Sequence, residues 1–385
     1  MQLFVDTGFF VYAALLSLPA ILLGYFEKPI RLYGFAVSLL FVFLAMKDSK
    51  TALVFLVIFL IWQLLEAKIY LWLRQKQGRK AGTYWLFMGL ALLPLLLNKY
   101  GIAQHSQFVF FAFLGISYME FKALQVIIQI YDGQIKQIDS FSYIYMMIFF
   151  PVLTSGPIDR SERFKKDVYR TIPRAEYLEL VGKGLWKMSL GLVYKLVISA
   201  IFYQAILLLG KGNGSLAFFV NMYAYGFYLF FDFAGYSLMA VAMSYFFGIQ
   251  SPDNFNKPFI SKDMKEFWDR WHISLSHWFR DFVFSRITMD IMKSGKVRNK
   301  YVIASTAFII NMLIMGLWHG VESHYIIYGL YHGVLLAGTE LYQKKLPWHK
   351  KYRKNPAYQG LSWFVTFNLV MFGLLIFSGN LSKFI

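Results

Sequence analysis

Cysteine is absent from all 385 residues, and charge is scarce, at 16% of positions. The first absence excludes a disulfide framework, a thiolate nucleophile and a cysteine-ligated metal. The second excludes an ordinary soluble domain, in which about 25% of residues are charged. Acidic residues are scarcest, 21 against 39 Lys and Arg, which leaves a formal net charge of +18. No Lys or Arg precedes the first apolar run, so a cleaved signal peptide is not expected. There is no internal repeat, no low-complexity tract and no G-x-S-x-G elbow to pose a serine nucleophile.

What is present is apolar. Hydrophobic residues make up 58% of the chain, aromatics 20%, and the mean hydropathy is +0.48. Uncharged runs at residues 7–26, 81–98, 101–119, 212–231, 233–252, 301–321 and 355–382 approach or exceed the roughly 18 to 20 residues that span a bilayer core. Shorter runs at 32–46, 51–65 and 196–210 become spans once their flanks are counted. The chain is expected to be an all-α, polytopic membrane protein of about ten or eleven spans, with residues 1–385 as a single domain.

The positive charge must then lie in the connecting loops, where the positive-inside rule assigns it to the cytoplasm. It suits an anionic partner there, and no nucleic acid is expected. Lys28 and Arg31 follow the first run, which puts the N-terminus outside; Arg74, Lys76, Arg79 and Lys80 fall inside, as does the cluster at 160–174. The apolar stretch before that cluster, "SFSYIYMMIFFPVLTSGPIDR", is broken by Pro151, Gly156 and Pro157. A full crossing there would place the cluster outside, so a re-entrant segment is expected. Basic clusters at 293–300 and 344–354 flank two further spans, which places the connection "WHGVES" on the outer side.

Within this frame few residues can carry chemistry. His319 follows 18 uncharged residues, as either an interfacial histidine in an aromatic belt or a general base in a dry pocket. The stretch "EFWDRWHISLSHWFRDFVF", residues 266–284, drawn as one helix, puts Trp268, Trp271, His272, Leu275, Phe279 and Phe282 on one face. Asp269, Arg270, His277, Arg280 and Asp281 share the other. His272 is then a packing residue or a functional one. A metal is not expected, since Glu266, Asp269 and Glu322 show no ligand spacing around the histidines. Asp232, Glu120 and Lys122, in apolar surroundings, are each structural or catalytic; His105 and His349 sit in presumed loops. From the end of the aromatic stretch onward, Val283, Ile287, Met289 and Met292 precede Lys293, Lys296, Arg298 and Lys300, an apolar patch rimmed by basic charge of the kind a small acidic protein docks on.

Taken in order, "SGPIDR", "FDFAGYS", "NFNKPFISKDMKEFWDRWHISLSHWFRDFVF" and "NMLIMGLWHG" resemble the membrane-bound O-acyltransferase (MBOAT) family, and within it the Gram-positive branch that attaches D-alanine to teichoic acid. The resemblance runs from about Gly115 to the segment at 366–372, and the long aromatic motif is its most specific part. It implies peripheral helices around a thin centre, with a tunnel joining the cytoplasmic side to an outer funnel. It implies that His319 is the catalytic histidine and His272 the second, motif-borne one. It also implies no permanently bound cofactor. The implied donor is D-alanine held as a thioester on the phosphopantetheine arm of an acidic carrier protein, DltC; a small membrane helper protein, DltX, and a lipoteichoic acid acceptor complete the set. An exopolysaccharide O-acetylase would share these motifs, whereas a transporter or flippase would show matched half-structures with broken helices, which the sequence lacks.

Overall fold

The computed structural model describes residues 1–104 and 109–384; the expectation for His105 lies outside them. Among the described residues the chain is helical with no strand. It is a multi-pass membrane protein. Among the described residues seven helices are long and apolar enough to cross a bilayer: Thr7–Tyr25, Lys50–Gln77, Ala81–Ala103, Arg174–Leu209, Ser215–Phe246, Lys300–His319 and Pro356–Phe377. That is fewer than the ten or eleven expected, for identifiable reasons. The uncharged runs either side of Asp232 belong to one 32-residue helix, Ser215–Phe246. The run at 101–119 is divided between the end of helix Ala81–Ala103 and the start of helix Ile116–Tyr131. The run at 32–46 forms a helix, Arg31–Met46, of 16 residues only.

The chain divides into two compact units, Met1–Leu192 with Tyr236–Pro252, and Val193–Gly235 with Asp253–Ile385. In the first, the segment before the basic cluster turns back. Helix Ser140–Ile148 is capped by Asp139, which accepts from the Ser142 N–H at 3.0 Å, and it lasts nine residues. Nine residues reach about 14 Å, half a bilayer core. Phe149 ends it, and Phe150–Val152 form a single 3-10 turn. A Cβ on Gly156 would lie 2.6 Å from the Val152 Cα, so only glycine lets the chain fold so tightly. Phe149, Phe150, Leu153 and Ile158 are all at least 98% buried, which meets the condition for irregular backbone at membrane depth.

The charge that follows is structural. Asp159 is buried; its carboxylate accepts from the Arg160 N–H at 2.7 Å and from Arg163 Nε at 2.6 Å, while its carbonyl accepts from Gln125 at 2.8 Å. Lys122, fully buried, donates to the Met146 carbonyl at 2.8 Å. Glu120 is buried with neither carboxyl oxygen hydrogen-bonded.

In the second unit a hairpin of helices Lys300–His319 and Ser323–Lys345 packs backbone against backbone. A Cβ on Gly329 would lie 2.5 Å from the Met312 carbonyl oxygen, and one on Gly333 2.8 Å from the Ile309 Cα. Small residues four apart let membrane helices approach this closely. Asp232 pairs with Lys195 at 2.5 Å, and Lys195 sits on a π-helical turn, Val193–Ile198. The aspartate is therefore anchored by a neighbouring helix.

Candidate active site

The residues 266–284 do not form one helix. Helix Met264–Arg270 begins at Asp263, whose carboxylate accepts from the Lys265 and Glu266 N–H groups at 2.9 and 3.0 Å. It stops at Trp271, and a second helix, Ile273–Phe279, starts after His272. Upstream backbone causes the break: the Ile273 N–H donates to the Asn254 carbonyl at 2.8 Å, and the Asn256 N–H to the Arg270 carbonyl at 3.0 Å. The Asn254 side chain accepts from the Ser274 hydroxyl at 2.6 Å. His272 bridges the gap with φ 44° and ψ 53°, a left-handed conformation that few residues other than glycine adopt. From Ile273 the chain stays helical through the π-helical turn Arg280–Phe284 to Ser294, yet this stretch is not among the helices apolar enough to cross a bilayer.

His272 is 4% exposed, set edge-on against Phe233 at 4.7 Å, and its Nδ1 has no hydrogen-bond partner. Burial pushes its pKa down to about 3, and the neighbouring His319 adds to the shift. A positive charge there would be desolvated and repelled, so the ring is neutral at ordinary pH. His319 arrives differently, as the last residue of the regular helix Lys300–His319. It is half-buried, with ring contacts to Trp318 at 4.6 Å, Phe377 at 5.0 Å and Tyr325 at 6.0 Å. The two histidines named from the sequence thus share one neighbourhood, with His319 near enough to bear on the charge of His272.

A cavity of about 250 Å³ opens in the same unit. Lys265, Asp269 and Arg280 line it with charge, His277 with an imidazole, and Trp268, Met312, Met315 and Leu336 with apolar surface. Two groups that line it are buried without partners, Trp268 Nε1 and Asn311 Oδ1. The cavity is shaped for a guest with an ionic end, an apolar stem and a few polar atoms. His277 lies 3.7 Å from Asp269.

The proposed docking patch is not one face. Val283, on the π-helical turn Arg280–Phe284, and Ile287, on helix Ser285–Ser294, are half-buried; Met289 and Met292 are 47% and 61% exposed. Ile287 and Met289 are two apart, on opposite sides of the helix. Met292, Lys293 and Lys296 are exposed beyond them.

Three residues escaped the sequence reading. His332 is fully buried with both ring nitrogens unpartnered, 4.5 Å from the Tyr328 ring and 5.3 Å from Trp268. Asn311 lies two turns before His319 on the same helix, a polar residue in an apolar run, and that is a readable signal. Lys195 gave a similar one. His349 is held between the hydroxyls of Tyr342 and Tyr358 at 3.0 and 2.9 Å and has a structural role. No group of three or more potential metal ligands occurs among the described residues.

A model of the membrane-bound O-acyltransferase family matches residues 39–382. A teichoic acid D-alanyltransferase of Bacillus subtilis (strain 168) is 40% identical over 97% of this chain and 96% of its own length. A protein of the same name from Streptococcus thermophilus is 39% identical over 97% of this chain and 94% of its own. A probable alginate O-acetylase of Pseudomonas aeruginosa is 32% identical, over 69% of this chain and 48% of its own length.

Proposed function

Because this chain belongs to the membrane-bound O-acyltransferase family, we propose that it is the acyltransferase that D-alanylates teichoic acid, drawing D-alanine from a phosphopantetheine thioester on the cytoplasmic side and delivering it to a hydroxyl on the outer side. The single observation that carries the choice of acyl group is the likeness to D-alanyltransferases along nearly the whole of both chains.

His319 is the general base in this reading. Its imidazole takes the proton of the acceptor hydroxyl as that oxygen attacks the thioester carbonyl; the carbon–sulfur bond breaks, and the departing thiolate recovers the proton. His272, held neutral and with Nδ1 free, positions the donor carbonyl. The 250 Å³ cavity suits a phosphopantetheine arm: Arg280 and Lys265 for the phosphate, Asn311 and Trp268 Nε1 for the amides, Met312 and Met315 for the stem. The arm belongs to the carrier protein DltC, which docks through Met289 and Met292, with Val283 and Ile287 behind them and Lys293 and Lys296 steering its acidic surface. A helper such as DltX would hand on the acyl group or hold the acceptor.

Sidedness follows from charge. Lys300 starts the helix that ends at His319, and 20 residues reach about 30 Å. With the basic loops at 293–300 and 344–354 in the cytoplasm, His319 lies toward the outer leaflet. The test is reconstitution in vesicles with lipoteichoic acid exposed on one face and carrier protein bearing radiolabelled D-alanine on the other. Base-labile label on the polymer is the expected result. Transfer from acetylated carrier at an equal rate, or transfer with donor and acceptor on the same face only, would overturn the reading.

A further inference from the structure

The first unit holds a basic pocket that acyl transfer does not use. It lies where two apolar helices, Thr7–Tyr25 and Arg31–Met46, end and begin, the level at which lipid headgroups sit. Lys28, Arg31, Asp167 and Arg170 line it, with Tyr145 and Tyr177 among the wall residues. Its volume, about 20 Å³, admits one oxygen-sized group rather than a whole headgroup. The walls are fixed: the Tyr177 hydroxyl lies 2.6 Å from the Phe246 carbonyl and 3.2 Å from that of Ala20.

Its charges are unevenly committed. Asp167 is satisfied, accepting from Arg163 at 2.6 Å and from the Gln250 N–H at 2.8 Å. Arg170 pairs with Glu176, and Arg31 lies over the Tyr169 ring at 4.9 Å. Lys28 is exposed and has no ion pair among the described residues. Tyr145 is 1% exposed, and its hydroxyl has no partner at all. A buried hydroxyl without a partner costs the desolvation of that group unless a ligand supplies one. Next to the pocket in the chain stand Leu22, Phe26 and Leu32, 57%, 58% and 68% exposed.

We propose that this pocket binds the phosphate of an anionic phospholipid. One phosphate oxygen accepts from the Tyr145 hydroxyl; Lys28, Arg31 and Arg170 surround the rest; and Leu22, Phe26 and Leu32 receive the acyl chains. The exposed apolar flank favours a lipid over free phosphate, which would leave it uncovered. The residues round the pocket come from loops that the charge rule independently assigns to the cytoplasm, where the leaflet surface is negative.

Native mass spectrometry of the full chain in neutral detergent tests this, with phosphatidylglycerol and phosphatidylcholine of matched acyl chains titrated in turn. One phosphatidylglycerol should be retained in preference to phosphatidylcholine. Lys28→Gln should weaken it about 5-fold, the scale of one cation at an anionic headgroup, and the Lys28→Gln, Arg31→Gln, Arg170→Gln triple variant by well over 10-fold. Tyr145→Phe, which keeps the ring, should weaken it about 3-fold, as loss of one ordinary hydrogen bond does. Equal retention of the two lipids, or wild-type retention by Lys28→Gln and Tyr145→Phe, overturns the proposal. So does displacement of the lipid by millimolar inorganic phosphate, which would mark a free-anion site. Loss of carrier-protein binding with lipid retention unchanged would make the pocket a protein-docking surface instead.

Discussion

Helix Lys300–His319 and the segment from Met264 to Ser294 each deliver one imidazole to the same neighbourhood, by opposite means. The helix is regular, and its histidine is simply the last residue, half-buried and ringed by aromatics. The segment is a seven-residue helix followed by a longer one with a π-helical turn inside it, and His272 is the left-handed link between them, almost wholly buried. A residue at the end of a helix can be exchanged without touching the backbone that holds it. One in a left-handed link can be exchanged only for a residue that tolerates that conformation, because its backbone and its side chain are used together. The first arrangement suits a group that meets a changing substrate; the second suits a group that must not move.

The largest effect is expected of His319→Ala. The substitution should lower D-alanyl transfer by about 100-fold or more, the scale of a general base, with the melting temperature of the detergent-solubilised protein unchanged. Transfer within a few-fold of wild type would remove His319 from the chemistry and leave His272 as the residue to explain.

A smaller effect is expected at the far end of the broken segment. Met289→Asp should weaken carrier-protein binding about 10-fold, since a charge replaces an exposed apolar anchor. Ile287→Asp, on the other side of the helix and half-buried, should instead lower the melting temperature. Anisotropy titration with labelled carrier separates the two. If Ile287→Asp abolishes binding in a protein as stable as wild type while Met289→Asp does nothing, the docking face is the opposite one.

The smallest effect concerns protons. The folded-state pKa of His272, about 3, lies below its ordinary value of 6.5. Between those values the unfolded chain binds a proton that the folded one refuses. Stability is therefore full above pH 6.5 and is lost as pH falls toward 3. His272→Asn, which tolerates the left-handed backbone, should make the pH dependence of unfolding shallower by about one proton over that window. His319→Ala should steepen nothing and only lessen the repulsion at His272. Identical slopes for wild type and His272→Asn would show that the ring is solvated in solution.

How much of this was legible follows from the same contrast. The helix ending at His319 could be read because every residue in it obeys one local rule, an uncharged run of bilayer length. The break at His272 could not, because the groups that cause it, Asn254 and Asn256, lie 19 and 14 residues upstream of their partners Ile273 and Arg270. Asp232 was visible as an expensive charge, yet its partner Lys195 required knowing that a π-helical turn aims that lysine across to it. The early stop of helix Ser140–Ile148 was readable from Pro151, Gly156 and Pro157, each of which breaks a helix locally. Grouping Ile287 with Met289 ignored the helical rule that residues two apart point away from each other.

The glycine contacts of the helical hairpin have a consequence for where this enzyme works. With backbone seated on backbone at Gly316, Gly329 and Gly333, the hairpin has no side-chain layer in which to shear. A bilayer that thins or thickens must then be met by tilting both helices as one body. His319 would change depth together with Tyr325 and Tyr328, keeping its aromatic surroundings intact while its distance from the headgroups varies. Acyl-chain length in the host membrane would thus set how far the acceptor must reach, and leave the shape of the site unaltered.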